Sequence, residues 1–472
     1  MSSAGSLSLA SEFPAASEGD WRRRVDAVLK GADFEKRLFS RTLDGIAIAP
    51  IYSGGAAVEV RRPEQTPWTV MQRADHPDAA KANAQALDDL NHGASGLHLV
   101  FADAPGARGF GLAAPERKSI ARLMNGIRID AIDLRLEAGP HGDGAAMALA
   151  QWIAGQPVDP ERLKLSFGID PIGGGAVQGK VDADYSSTLR QSVTALRQMH
   201  LIGPFAEASG VVWHDAGASS AQELAFMLAS GVAYLRALDH LEDGYLKRAV
   251  ALSLAAGQNM FLTLAKFRAA RLLWSRVLSV SGLATDAIMV QAETSWRMMA
   301  ARDPHTNILR TTAAVFAAAL GGADRITVLP FSLAQGLPDE FARRIARNTQ
   351  TILQEESQLW RVSDPAAGSG YVAHLTASLC GKAWALFQEI EKQGGIVPAI
   401  ASGRVAALIA AKRAEQLARI ESKAETIIGV TAYPPSNEAA PSIEDLPRRE
   451  TAKGPFAAIR FAEAFETAGA AP

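Results

Sequence analysis

Residues 67–102 read PWTVMQRADHPDAAKANAQALDDLNHGASGLHLVFA, and this stretch decides the fold class. Its two ends, 67–74 and 96–102, are short apolar segments of the length typical of buried strands. The segment between them, 78–90, carries apolar residues at helical spacing. Parallel neighbouring strands require a crossover of this kind. The stretch therefore predicts a parallel βαβ unit.

The same alternation of strand and helix continues along the chain. Six further segments are predicted as buried strands: 131–138, 164–170, 210–215, 259–265, 287–294 and 324–331. Helical patterns lie between most of them, for example at 219–235 and 310–320. Eight alternations predict an α/β fold, a parallel (β/α)8 TIM barrel with helices around the strands.

The segments outside the barrel differ from it in composition. Residues 1–50 are expected to form an N-terminal arm and helix, and the barrel is expected to span 51–372. Residues 373–433 contain two long Ala-rich amphipathic segments, which predict C-terminal helices. Residues 434–472 are rich in Pro, Ser and charge, which predicts an extended linker or tail.

Composition narrows the class of protein. The 472 residues carry a net charge of −2, which gives no basic surface for nucleic acid and no polybasic patch for a membrane. The chain contains no apolar run of the roughly 20 residues that span a bilayer. Its N-terminal residues do not have the pattern of a signal peptide, and the lone Cys380 excludes an internal disulfide framework. These features predict a cytoplasmic protein.

Charged residues follow several predicted strands, where a barrel of this kind places its chemistry. They are Arg73, Asp75, Asp103, Glu137, Asp170, His214, Asp215, Lys266 and Glu293. For each of them a solvated or ion-paired rim residue is the ordinary alternative. The sequence contains no nucleophile elbow, no HExxH motif and no P-loop. The glycine-rich run 168–179 has phosphate-loop character but fits neither nucleotide fingerprint, and no helix start is evident in it, so we interpret it as a barrel loop.

The nine histidines include no pair at the spacing that holds a metal ion on a helix. The sequence therefore predicts no metal site.

Five segments of the sequence indicate which proteins the chain is similar to. They are GADFEKRLFSRTLDG (31–45), HDAGASSAQELAFMLASGVAYLR (214–236), NMFLTLAKFRAARLLW (259–274), NILRTTAAVFAAALGG (307–322) and RIARNTQTILQEESQLWRVSDPAAGSGY (344–371). In this order they resemble the methylmalonyl-CoA mutase family, from about residue 20 to 434. The resemblance independently implies a barrel of this type.

The chain departs from the catalytic members of that family at the positions that the resemblance assigns to the active site. The family's Tyr, Arg, His and acidic pair correspond here to Pro63, Thr66, Val212, Ser332 and Leu333. Asp215 keeps the acidic character expected before Ala216. With His214 beside it, Asp215 is the best candidate for a vestigial pocket, and no catalytic residue is predicted.

The family's cobalamin ligand is a His in the motif D-x-H-x-x-G. Residues 303–308 read DPHTNI, with Ile308 in place of the Gly, and we interpret them as a helix start capped by Asp303 or Thr306. The resemblance places a flavodoxin-like cobalamin domain after the barrel, and we expect none here. It thus implies that this chain binds no cofactor and that a partner holds adenosylcobalamin.

The sequences of 166–179 (SFGIDPIGGGAVQG) and 212–225 (VWHDAGASSAQELA) resemble those of the small subunits of heterodimeric methylmalonyl-CoA mutases. The resemblance implies a non-catalytic isomerase subunit that stabilises a large catalytic partner, which binds the acyl-CoA substrate. One alternative is the substrate barrel of a split acyl-CoA mutase that uses a separate cobalamin protein. Another is a structural or chaperone-like binding protein.

Overall fold

The structure is a computed structural model that describes residues 16–55, 59–60, 62, 66–113, 115–437 and 439–466. The chain divides into two compact units, one that ends at Tyr52 and one that begins at Ser53. The first unit contains helices Glu18–Leu29 and Phe34–Leu38 and an antiparallel pair of short strands, Ser40–Arg41 and Ala47–Ile48. Pro63, a predicted departure from the family, lies outside the described residues.

Eight parallel strands form the sheet of the second unit. They are β1 (Thr69–Ala74), β2 (Gly96–Val100), β3 (Asp133–Glu137), β4 (Lys164–Ser166), β5 (Ala206–Ser209), β6 (Val250–Ala256), β7 (Val290–Thr294) and β8 (Arg325–Thr327). Their hydrogen-bonded order is β4-β3-β2-β1-β8-β7-β6-β5, and a parallel bridge between Ile169 and Ala206 brings the two ends together. This topology confirms the predicted TIM barrel.

Helices connect and surround the strands. They are Ala79–Asn91, Arg117–Leu123, Gly142–Ile153, Pro171–Val177, Tyr185–Gln198, Val211–Ala216, Ser220–Ala237, Asp243–Leu246, Met260–Val280, Thr306–Leu320 and Glu340–Thr351. The polar residue before a helix often caps it: Asp78 accepts from Ala80 N, and Ser219 forms a capping box with Gln222. Among the described residues, every helix is too short or too polar to cross a membrane.

Two of the eight strands lie elsewhere than predicted. Segment 210–215 was expected to be a strand, but Val211–Ala216 is a buried helix, and β5 lies just before it. Segment 259–265 opens the helix Met260–Val280, whose N-cap Asn259 accepts from Leu262 N, and β6 lies just before that helix. The prediction was wrong because β5 and β6 are made of small and helix-favouring residues. Tertiary pairing overrides such weak local preference.

The chain beyond the barrel packs back onto it. Helix Gly370–Lys392 packs against Ser220–Ala237 and Met260–Val280, and it is followed by helices Ile396–Ala401 and Arg404–Glu421. Residues 439–466, which we name the strap, then cross the loops at the carboxyl ends of the strands. The strap is mostly irregular and ends in the short helix Glu463–Glu466.

Candidate functional site

Charged side chains fill the lumen of the barrel and join strands that are not neighbours. Arg135 on β3 donates to both carboxylate oxygens of Glu207 on β5, at 2.6 and 2.9 Å. Arg325 on β8 donates to Asp133 on β3 at 3.0 Å. Gln291 on β7 donates to Glu207 at 3.1 Å. Each of these bonds passes at least one intervening strand, so the side chains that make them lie inside the lumen.

A second set of charges lies at the carboxyl ends of the strands and includes four of the predicted candidates. Arg73 donates to Asp75 at 2.8 Å and lies 3.4 Å from Glu293. Arg108, from the loop after β2, pairs with Asp215 and lies 3.3 Å from Glu293. These five side chains are at most 4% exposed. The structure therefore brings Arg73, Asp75, Asp215 and Glu293 together as buried ion pairs.

His98 occupies the centre of this cluster. Its Nε2 atom lies 3.1 Å from Glu137 Oε2, and its Nδ1 atom lies 3.9 Å from Glu293 Oε2. The ring is fully buried, and burial together with the nearby Arg135 holds the pKa of His98 well below its usual value.

A cavity of about 740 Å³ lies between this cluster and the strap. Strand ends and barrel loops contribute Arg135, Glu137, Asp215 and Glu293 to its lining, and the strap contributes residues 448–453, Phe456, Ala458, Arg460 and Glu463. Backbone bonds hold the strap in place: Arg449 N donates to Gly109 O at 2.8 Å, and Ile459 N donates to Asp215 O at 2.9 Å. The strap thus covers the end of the barrel at which TIM-barrel enzymes admit substrate.

His214 and Asp215 are adjacent in sequence but belong to different networks. Asp215 lines the cavity and pairs with Arg108. His214 Nδ1 lies 3.1 Å from Glu223 Oε2, and its Nε2 lies 2.7 Å from Ser295 Oγ. Consecutive residues of a helix point about 100° apart, which explains the separation. That the pair forms a vestigial pocket stays a prediction.

The Ser295–His214–Glu223 arrangement has the order of a nucleophilic triad, but it does not face the cavity. His214 Nδ1 lies between Glu223 Oε2 at 3.1 Å, which accepts, and Arg297 Nη2 at 3.0 Å, which can only donate. Among the described residues, the cavity lining includes neither Ser295 nor His214, so the arrangement is not placed to act on a molecule bound there.

Burial shifts the pKa values of His214 and Asp215 in opposite directions. Desolvation lowers the pKa of His214 to about 3, and it raises the pKa of Asp215 to about 6 although Arg108 opposes the rise. Burial alone would raise the pKa of Glu223, but Lys266 and His214 hold it at about 2. Lys266, another predicted candidate, lies 2.5 Å from Glu223 and is 2% exposed, so it belongs to the wall of the barrel.

The glycine-rich run contains a helix that the sequence reading missed. Pro171–Val177 is helical, and Asp170 caps it by accepting from Gly173 N at 2.9 Å. Tyr234 donates its hydroxyl proton to Asp170. Desolvation raises the pKa of Asp170 to about 7 despite these two hydrogen bonds. Asp103, the last of the predicted candidates, lies on the rim, where Arg449 of the strap approaches it at 3.3 Å.

Residues 303–308 do not have the geometry of the family's cobalt-binding motif. Asp303 accepts from Thr306 Oγ1, and the ring of His305 packs at a tilt against Phe331 with centroids 5.0 Å apart, so Asp303 does not orient the imidazole as the carboxylate behind a metal-bound histidine does. His305 is itself the N-cap residue of helix Thr306–Leu320, without a side-chain cap bond, which corrects the predicted capping by Asp303 or Thr306.

Sequence reasoning missed His98, Arg108, Arg135 and Glu207. Three of them carry a recognisable signal, because His98, Arg135 and Glu207 each stand between two apolar or small neighbours in the buried strands GLHLV, DLRLE and AEAS. Such a residue points into a lumen when both faces of the strand are covered. Arg108 lies on a loop and carries no comparable signal.

Comparison with known proteins shows which sequences this chain is similar to. Residues 52–460 match the family model described as methylmalonyl-CoA mutase. The chain is 39% identical to the methylmalonyl-CoA mutase small subunit of Streptomyces virginiae, over 98% of this chain and 77% of that protein. It is 33% identical to the small subunit of Propionibacterium freudenreichii subsp. shermanii, over 98% and 75%. Identity to the methylmalonyl-CoA mutase of Cereibacter sphaeroides is 31%, over 90% of this chain and 65% of that protein.

Proposed function

Because the chain belongs to the methylmalonyl-CoA mutase family, we propose that it is the small, non-catalytic subunit of a cobalamin-dependent methylmalonyl-CoA mutase. The holoenzyme interconverts methylmalonyl-CoA and succinyl-CoA, and a homologous large subunit carries adenosylcobalamin and binds the acyl-CoA substrate. The two subunits associate as a heterodimer in the cytoplasm. The contribution of this chain is to stabilise the folded partner by binding it.

The observation that carries this proposal is the set of ion pairs across the lumen. Arg135–Glu207 joins β3 to β5 past one intervening strand, Arg325–Asp133 joins β8 to β3 past two, and all four residues are at most 9% exposed. A substrate that enters along the axis would have to displace these pairs, and a buried pair that loses one partner costs about 3–5 kcal/mol. The arrangement therefore favours a structural role for the barrel over a catalytic one.

The strap supports the same conclusion from outside the lumen. Phe456 is 5% exposed and its ring packs against that of Trp213 at 5.5 Å. Arg448 donates to Leu333 O at 2.7 Å. Substrate or cofactor approaching the carboxyl ends of the strands would meet this covered surface first.

The experiment is affinity purification of the native chain, followed by mass spectrometry of the proteins recovered in stoichiometric amount. We expect one larger homologue with a D-x-H-x-x-G motif at a one-to-one ratio. A small cobalamin protein in its place would support the split-mutase alternative, and several unrelated proteins would support a chaperone-like role.

Reconstitution then separates stabilisation from catalysis. The large subunit alone should be less soluble or less thermostable than the complex, and turnover should require only residues of the large subunit. Asp215→Asn should leave turnover of the assembled complex within about twofold, a small change on the scale of mutant kinetics. A large loss in an intact complex would return chemistry to this barrel, and a large subunit that is equally stable and active alone would contradict the stabilising role.

A further inference from the structure

One group in the lumen has the donor set of a metal site. A ring nitrogen of His98 and one carboxylate oxygen each from Glu137 and Glu293 lie within 4.8 Å of one another. They stand on β2, β3 and β7, so rigid strands hold all three. Four-coordinate Zn²⁺ at about 2.1 Å from its ligands holds them about 3.4 Å apart, which movements of about 1 Å in the two glutamate side chains would reach.

The hydrogen bonding of His98 leaves a place for a cation. His98 Nε2 is buried and makes no aligned hydrogen bond, although Glu137 Oε2 is 3.1 Å away. On the other side of the ring, Nδ1 lies 3.5 Å from Thr327 Oγ1 and 3.9 Å from Glu293 Oε2. The Thr327 hydroxyl can donate its proton to Nδ1, which leaves Nε2 as the ring nitrogen without a hydrogen-bond partner. A cation held between Nε2 and the carboxylates would give this buried atom a partner.

The charges around the ring of His98 also favour a bound cation. Each arginine of the cluster has a nearer carboxylate of its own, and these pairs are Arg73–Asp75, Arg108–Asp215 and Arg135–Glu207. Glu137 and Glu293 are the carboxylates of the cluster that remain after each arginine is assigned to its nearest carboxylate. In the helix layer Arg343 and Arg347 share Asp89, and Arg343 lies 3.6 Å from Asp75, so the surplus negative charge is smaller than two. A divalent cation with a water or hydroxide ligand suits such a surplus.

The site is also open on one side. Glu137 and Glu293 both line the cavity beneath the strap, which therefore supplies an entry path and room for a water ligand. We propose that His98, Glu137 and Glu293 bind one divalent transition-metal cation of the Zn²⁺ class, with the remaining coordination positions facing the cavity. One imidazole and two carboxylates form the nitrogen and oxygen set that this class of metal accepts. The proposal stands on the geometry of the lumen and holds whatever the partner of the chain is.

The test uses the full chain, treated with a chelator and dialysed, and titrated calorimetrically with Zn²⁺ and with Co²⁺. We expect saturable binding of one ion per chain, visible absorption bands of the Co²⁺ form, and X-ray absorption at the zinc edge that shows nitrogen and oxygen neighbours. His98→Gln and Glu293→Gln should each weaken Zn²⁺ binding at least tenfold. The matched control is His141→Gln, because exposed His141 lies 3.6 Å from Asp103 on the rim and has similar chemistry outside the lumen.

Circular dichroism of each variant checks that it folds. If neither lumen variant folds, the X-ray absorption spectrum of the wild-type complex and the unchanged affinity of His141→Gln decide the question. Absence of saturable binding at Zn²⁺ concentrations up to about 100 µM, a range that would reveal even a weak site, would overturn the proposal. Equal affinity of wild type and His98→Gln would overturn it as well.

Discussion

Replacing Glu207 with Gln should destabilise the isolated chain by about 3–5 kcal/mol, because the change leaves a guanidinium unpaired inside the lumen. Glu207 accepts from Arg135 at 2.6 and 2.9 Å and from Gln291 at 3.1 Å, and all three residues are at most 4% exposed. Glutamine keeps the shape of the side chain, so the loss measures charge compensation and not a cavity.

The double variant Arg135→Met/Glu207→Leu separates the cost of an unpaired Arg135 from the net contribution of the ion pair to the free energy of unfolding. It removes both charges and fills similar volume with apolar atoms, which in buried ion pairs is often neutral or stabilising by about 1–4 kcal/mol. Gln291 loses an acceptor, at a cost of about 1 kcal/mol. We therefore expect the double variant to be much closer to wild type than Glu207→Gln is.

Urea unfolding followed by far-ultraviolet circular dichroism measures these differences through the midpoint and the slope. The matched control is Glu389→Gln, which breaks the exposed pair of Glu389 with Arg404 at 2.8 Å and should cost no more than about 1 kcal/mol. If Glu207→Gln costs no more than this control, the lumen is hydrated. Side chains would then not fill the lumen, and a structural role for the barrel would lose its support.

Three further outcomes follow from groups that are buried or half-buried. The folded pKa of Asp170, about 7, exceeds its unfolded value of about 3.9, so its stabilising contribution is complete below about pH 4 and is lost as pH rises through 7. Asp170→Asn should accordingly gain stability relative to wild type between about pH 5 and about pH 8, by up to about 4 kcal/mol, read from urea midpoints. Phe456→Ala should release the strap from Trp213, at a cost of up to about 3 kcal/mol, and trypsin should then cleave the strap faster than in wild type while the barrel stays intact. Burial raises the pKa of Cys380 to about 11, so its reaction with a disulfide reagent at pH 8 should be about 100-fold slower than that of a free thiol, and a rate equal to the free thiol would contradict its burial.

The fold could largely be predicted from the sequence, and its failures have a local cause. Six of the eight strands overlap their predicted positions, because apolar segments buried on both faces are distinctive. β5 and β6 were displaced because Ala206–Ser209 and Val250–Ala256 contain few β-branched residues. Their pairing with neighbouring strands makes them strands, and pairing is a tertiary property.

The candidate site could be predicted only in part. The rule that polar residues gather at the carboxyl ends of barrel strands found Arg73, Asp75 and Glu293, which do lie together. The same rule gave no reason to separate Asp215 from His214, because it placed them on a strand end and they lie on a helix.

By itself the sequence determined the fold class, a parallel barrel, because strands and crossover helices alternate eight times. It also determined membership of the mutase family, because five sequence segments follow one another in the order of that family. Tertiary structure alone decided what fills that barrel. Arg135 and Glu207 are 72 residues apart and Arg325 and Asp133 are 192 apart, yet each pair meets in the lumen. The strap likewise reaches the strand ends only after the chain has folded back over them. Periodicity records which face of an element is buried, whereas pairing across a barrel depends on the closure of the sheet.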